Sequence, residues 1–249
     1  MVKKIRVTIW NEFVHEKNDA AVKKVYPDGI HNAIAQGLKK EMGFIIQTAT
    51  LEQPEHGLTE KVLKNTDVLF WWGHMAHGQV DDEIVKRIHQ KILDGMGLVV
   101  LHSGHFSKIF RRLMGTNCSL TWRVADEREI VWNIAPSHPI AQGIAGSFEL
   151  PGSEMYGERF DIPEPDQLLF VSWYEGGNVF RSGCTFKRGN GKIFYFSPGH
   201  ETYPIFYDKT ILRILANSAR WAYSPIRLST NDVPNQKTPL APITKRKPI

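Results

Sequence analysis

Ten histidines are spread over the 249 residues, and six of them stand in short segments that each follow a run of β-branched or aromatic residues. His15 comes after Asn11 and Glu12, and His74 and His77 form an H-x-x-H pair. His102 and His105 flank Ser103-Gly104, and His200 is followed by Glu201. An H-x-x-H spacing can bring two imidazoles to one side of a turn, which suits a divalent metal; the plainer alternative is loop histidines capping helix ends. Ser103 lies where a strand turns into a helix, the place at which α/β enzymes expose a nucleophile, and a helix cap is its competing role. His200 beside Glu201 reads as an imidazole oriented by a carboxylate, as a metal ligand next to a general base, or as structural support. Glu154 and Tyr156 stand in a segment read as an acidic loop, where they offer a carboxylate and a phenol to a polyol or simply face water. Among the tryptophans Trp71, Trp72, Trp122, Trp132 and Trp173, burial is expected for most and a sugar-stacking face for some, Trp72 being the chosen candidate. Cys118 and Cys184 show no C-x-x-C spacing and are expected to be buried and inert.

These side chains converge only if the elements before them run the same way. Strands are expected at residues 5–10, 45–51, 67–72 and 98–101, alternating with helices at 29–42, 59–65, 80–94 and 106–114. That alternation points to a parallel sheet with helices on both faces. Ligands in such sheets bind beyond the carboxyl ends of the strands, where the histidine segments fall. From Glu129 the pattern changes to shorter strands at 130–134, 168–172, 179–186 and 192–196, the last two joined as a hairpin through Gly189-Asn190-Gly191. A final helix is expected over 208–223.

With 42% hydrophobic and 23% charged residues, the chain has the composition of an ordinary globular domain. No apolar run approaches the roughly 18 residues of a membrane span, so no membrane association is expected, and two cysteines without a disulfide framework fit a reducing cytoplasm. The net charge of +5 suggests an acidic partner until its placement is considered. Arg227, Lys237, Lys245, Arg246 and Lys247 stand against Asp232 alone in a tail, residues 224–249, that carries five prolines. The rest is almost neutral, so no nucleic-acid partner is expected. If ordered, such a tail needs something to hold it, and a homo-oligomer is the expectation.

The segments DVLFWWGHMAH (67–77), GLVVLHSGH (97–105), Glu154-Met155-Tyr156 and SPGHETYP (197–204), taken together, resemble the ThuA-like trehalose utilization proteins over about residues 5–223. The resemblance implies a single α/β domain over 1–223 with a flavodoxin-like, class I glutamine amidotransferase-like layered sheet carrying an antiparallel β-rich insertion. It also implies a role in disaccharide breakdown alongside an NAD-dependent oxidoreductase that makes keto-sugars. Amidotransferases place a cysteine on a glycine-flanked elbow; here Ser103 takes that position between Leu101 and His105, so glutaminase chemistry is not expected. Crowded imidazoles suit a divalent metal, zinc foremost, with His74, His102, His105 and His200 as ligands. Ser103, His200, Glu201 and Glu154 are the catalytic candidates, and Asn11, Glu12, His15, Tyr156 and Trp72 the substrate-binding ones. Three readings stay open: a metal-assisted enzyme acting on a sugar or keto-sugar, a metal-free Ser103–His200 hydrolase, and a sugar-binding module without catalysis.

Overall fold

A computed structural model describes residues 4–228 and 237–244. Most of the tail's charge, including Asp232, Lys245, Arg246 and Lys247, lies outside the described residues. Sixteen regular elements follow one another: β1 (Ile5–Asn11), α1 (His15–Asn18), α2 (Ala20–Val25), α3 (Ile30–Lys39), β2 (Phe44–Thr50), α4 (Glu60–Lys64), β3 (Val68–Trp72), α5 (Asp82–Leu93), β4 (Gly97–Leu101), α6 (Lys108–Met114), β5 (Thr121–Asn133), β6 (Ser147–Gly157), β7 (Gln167–Tyr174), β8 (Val179–Arg188), β9 (Gly191–Phe196) and α7 (Lys209–Ala222).

They build one mixed sheet of nine strands in the order β2-β1-β3-β4-β9-β8-β7-β5-β6. Neighbours from β2 to β9 pair in parallel, and the pairs from β9 to β6 are antiparallel. The strand order reverses at β1, so the chains leaving β1 and β3 diverge and open a crevice at their carboxyl ends. Both faces are covered. Helices α3 and α7 bury Ile34, Leu38, Ile211 and Leu215 against Val68, Phe70 and Trp72, while α5 and α6 bury Ile88, Ile92 and Phe110 against Leu69 and Trp71. This is why DVLFWW does not alternate: each residue of β3 meets apolar cover. Trp71 stacks on Trp10 of β1 with ring centroids 3.9 Å apart, and every such buried aromatic contributes about 1.5–3 kcal/mol. Side-chain caps set the helix starts: Asp81 accepts from the Glu83 amide and Asp208 from those of Thr210 and Ile211. Among the described residues no helix is long and apolar enough to cross a membrane.

The structure corrects the expected elements at three places. Residues 154–156 are not in a loop but in β6, an edge strand whose Pro151-Gly152 breaks the strand pattern and is taken up by a shift in the pairing with β5. β5 starts at Thr121, well before the expected 130, because pairing with β6 holds its polar first half extended. The helix expected over 106–114 is a 3₁₀ turn over 102–106 followed by α6, with Ser107 as its cap. The hairpin of β8 and β9 forms as expected, with Gly189 at φ 56°.

The first tail residues fold back under the amino ends of the strands. Arg227 donates to the Thr66 carbonyl and to Asp67 Oδ1 (3.2 Å), and the Leu228 amide donates to the Asp94 carbonyl. A cavity of about 320 Å³ opens there. Arg6 and Arg227 both pair with Asp67 in its lining, and Lys91 pairs with Glu60 beside it.

Candidate active site

The loops leaving β3, β4 and β9 meet β5 and β6 around a cavity of about 330 Å³. Its lining combines the polar His74, His77, Glu154 and His200 with the apolar Phe106, Trp122 and Val124, and Ser103, His105 and Tyr156 complete it. Glu154 Oε2 lies 2.8 Å from His102 Nε2 and 3.8 Å from His200 Nε2. Glu201 is shared between two further imidazoles, with Oε1 2.9 Å from His15 Nδ1 and Oε2 3.0 Å from His74 Nδ1. His200 Nε2 stands 3.7 Å from Glu201 Oε1 and so links the two groups. The expected convergence of His74, His102 and His200 is therefore present.

Local chain geometry makes this possible. His102 adopts φ 48°, so the sharp turn after β4 is centred on the histidine and not on Ser103. Its Nδ1 lies 2.7 Å from the Ser197 carbonyl, which can only accept; that places a proton on Nδ1 and turns Nε2 to Glu154. The Tyr156 ring stacks on the His102 ring at 4.7 Å and 6°, fixing its plane. Gly199 allows the β9 loop to come this close, because a Cβ there would sit 3.0 Å from His102 Cβ and 2.8 Å from Phe206 Cζ.

Several expected roles change once the contacts are known. Trp72 cannot stack on a sugar: it is fully buried, and its indole N–H donates to the Gly199 carbonyl at 3.1 Å, holding the His200 loop. Asn11 is also internal, bonded to Glu16 (2.6 Å), His31 (3.0 Å) and the Phe13 amide (2.9 Å). Glu12 spends both carboxylate oxygens on the Met75 and Ala76 amides (2.6 and 2.9 Å), so it positions the His74 loop. His15 joins Glu201 rather than the cavity lining. Ser103 lines the cavity but donates its hydroxyl proton to the Gly73 carbonyl at 2.8 Å, which is not the geometry of a serine activated by an imidazole. His105 lines the cavity with Nδ1 2.7 Å from the Cys118 carbonyl and belongs to neither group of potential metal ligands. Those groups are His102, Glu154 and His200, and His15, His74 and Glu201. His77, one of the H-x-x-H pair, and Trp122, one of the tryptophans noted, belong to neither the expected ligand set nor the expected substrate-binding set, yet both line the cavity, His77 with a buried Nε2 that has no hydrogen-bond partner. Phe106 and Val124, also in the lining, are in no expected set.

The ThuA trehalose utilisation family model matches residues 6–222. The chain belongs to the ThuA family. Similar solved structures include a putative ThuA-like protein from Parabacteroides merdae (15% identity, TM-score 0.68, covering 96% of this chain and 94% of that one). Another is a putative ThuA-like protein from Bacteroides uniformis (17% identity, TM-score 0.63, 90% and 94%). A third is a putative GMP synthase protein from Thermoplasma acidophilum (10% identity, TM-score 0.53, 88% and 95%). No curated protein sequence matches the chain.

In this ThuA-family site, burial and pairing separate the protonation states. Burial alone would raise Glu201, but His15 at 2.9 Å and the hydrogen-bonded His74 hold it far below the usual carboxylate range. Burial works against protonating His74, and the bond and charge of Glu201, followed by Glu154 and Glu12, raise it nonetheless. His200 is pushed down to about 4, first by burial and then by His102, against the pull of Glu201 and Glu154. Burial lowers His105 to about 3, opposed by the Cys118 carbonyl. The site thus sets His74, whose protonated form Glu201 favours, beside imidazoles that burial keeps neutral at ordinary pH.

A stability optimum follows. The lowered values of His200 and His105 cost stability as pH falls below 6.5, their unfolded value, because the unfolded chain then binds more protons. The raised value of His74 contributes stability that is complete below 6.5 and lost as pH rises through its folded pKa. Thermal melts of chelator-treated protein are expected to peak near pH 6.5, with the alkaline decline reduced in His74→Asn. An alkaline limb identical in the two proteins would show that the His74–Glu201 couple carries no charge.

Proposed function

We propose that this ThuA-family protein is an enzyme of disaccharide breakdown that acts on a sugar or keto-sugar by acid–base chemistry at Glu154, next to a seat for a divalent ion, zinc foremost. The observation that carries this is the contact of Glu154 with His102, both buried, at the wall of a cavity that a small polyol can enter. Glu154 gives or takes a proton at Oε2, and His102 Nε2, 2.8 Å away, shares it. Tyr156, whose phenol burial keeps protonated, lies 3.3 Å from the same nitrogen. His74 lines the cavity, and its imidazolium, favoured by Glu201 behind it, can meet a developing alkoxide.

The donor set fits a metal. The ligand atoms of His102, Glu154 and His200 lie within 4.8 Å of one another, compatible with zinc bonds of about 2.0–2.2 Å. At His102 the Ser197 carbonyl holds the Nδ1 proton, so Nε2 is the ligand nitrogen, and the proton it shares with Glu154 would be lost on binding an ion. His200 needs one exchange: Nδ1 accepts from the Thr202 amide at 3.2 Å, and donating instead to Thr202 Oγ1, 2.8 Å away, frees Nε2. A bound ion would supply Lewis-acid polarisation of a sugar carbonyl. We take the layering to be flavodoxin-like and amidotransferase-like, supported by the parallel order β2-β1-β3-β4-β9 and the likeness to the Thermoplasma structure. A cytoplasmic place beside an NAD-dependent oxidoreductase belongs to the same reading.

Metal analysis of the purified full chain tests it, combined with turnover of a keto derivative of trehalose. A bound divalent ion that is lost in His102→Ala, and turnover that falls when it is stripped, are the expected results. Full turnover by a metal-free protein would remove the ion from the proposal.

A further inference from the structure

We propose that the apolar groove between the Pro151-Gly152 break of β6 and the start of α7 seats the proline-containing segment 237–244 of a second copy of this chain. The groove has a volume of about 560 Å³, and Leu150, Pro151, Tyr203, Pro204, Ile205 and Tyr207 make its apolar lining. Its aromatic rings are fixed in advance. Tyr203 donates its hydroxyl proton to Asp126 Oδ1 at 2.5 Å, and its ring lies so close to Gly152 that a Cβ there would sit 3.1 Å from Cε1. Tyr207 stacks on Tyr26 with centroids 5.3 Å apart and donates to the Val25 carbonyl at 3.1 Å, yet it stays 47% exposed. Rigid aromatic rings beside prolines form the kind of surface on which extended proline-containing chains dock. Tyr203 also belongs to the active site, its ring 5.4 Å from that of His200, so a seated segment touches a residue of the site.

The tail supplies the occupant. All of residues 237–244 are exposed, Leu240 to 95% and Ile243 to 76%, and they form neither helix nor strand. Pro239 and Pro242 make a P-x-x-P pattern, and each biases the residue before it, Thr238 and Ala241, to extended backbone. In a polyproline II helix, with three residues per turn, Pro239 and Pro242 form one ridge about 9 Å long and Leu240 with Ile243 a second. Charge agrees with this fit. Lys237 stands before the ridges, and Lys245, Arg246 and Lys247 follow them in the sequence. The groove is bordered by exposed carboxylates: Asp208 in its lining, Asp126 on Tyr203, and Asp28, which after burial raises the Tyr207 phenol. The segment comes from a neighbour. Each tail leaves its own body at Leu228, held at the amino ends of the strands, whereas the groove follows β9 at their carboxyl ends, and within one chain the segment stays uncovered.

Sedimentation of the full chain over a concentration series tests this. Wild type is expected to rise above the mass of one chain as concentration increases. Leu240→Ser combined with Ile243→Ser should weaken association about tenfold or more, the scale of burying one such side chain, and leave the circular dichroism unchanged. Tyr207→Ala should weaken it similarly; if that variant does not fold, the tail variant decides the case. Asp208→Asn keeps a helix cap and removes the charge, so it should weaken association less and flatten its salt dependence. A peptide of residues 237–247 in excess should return wild type to single chains. Association unchanged in the tail variant overturns the proposal, as does association lost only in Trp132→Ala, an exposed tryptophan outside the groove. A wild type that stays a single chain at every concentration overturns it as well, and a peptide that binds such a protein assigns the groove to the chain's own tail.

Discussion

Glu154→Gln is expected to lower kcat by about 10²–10⁴-fold, the usual contribution of a positioned general acid or base. Glutamine keeps the volume and can still bond to His102, but it cannot carry a proton. Burial opposes ionisation of the native carboxyl, yet the bond and charge of His102, followed by His200, hold it below the usual carboxylate range, so it enters the reaction as the base. The variant should fold normally, because the neutral amide leaves no unpaired charge in a site that is almost wholly buried. Steady-state kinetics on a keto derivative of trehalose, with circular dichroism as the folding control, is the check. Unchanged kcat would exclude Glu154 from proton transfer and favour a site that binds without catalysis.

The largest effect on stability is expected at the other end of the sheet. Asp67→Ala should cost about 3 kcal/mol, a value at the low end for a broken buried pair because Arg6 and Arg227 are partly solvated. The Asp67 carboxylate accepts from the Arg6 amide at 2.9 Å, from its guanidinium at 3.0 and 2.7 Å, and from Arg227 at 3.2 Å. Removing it leaves two guanidinium groups facing each other and frees the first tail residues. For a chain of this size the loss corresponds to a fall of about 10 °C in melting temperature, measurable by calorimetry, while kcat is unaffected because the cavity is at the opposite strand ends. A melting temperature equal to that of wild type would show that the cluster is solvated and contributes nothing.

Much of the site is legible in the sequence because parallel strands finish together: with β1, β3 and β4 identified, His74 and His102 have to meet at one end. What the residues do not reveal is direction. Trp72 and Trp122 are the same side chain, but Trp72 lies in a strand covered on both faces and Trp122 in a polar segment whose exposure follows from its register with β6. Glu154 stands out as a candidate, yet Pro151-Gly152 hides the strand that aims it at His102. Ser103 and His102 differ by one position, and only the positive φ shows which of them occupies the turn. Glu12 follows β1 as a ligand-binding residue would, but two backbone amides without helical partners claim its oxygens.

The mixed sheet also bears on when the cavity can exist. Strands β5 to β9 are antiparallel neighbours close in sequence, whereas β4 meets β9 across most of the second half of the chain. The His102–Ser197 contact spans 95 positions, a loop closure that is slow compared with zipping a hairpin. The catalytic pocket is built across that join, so a newly made chain can hold much of its secondary structure while still inactive. Recovery of activity after refolding therefore reports docking of the two halves and trails the signals of strand formation.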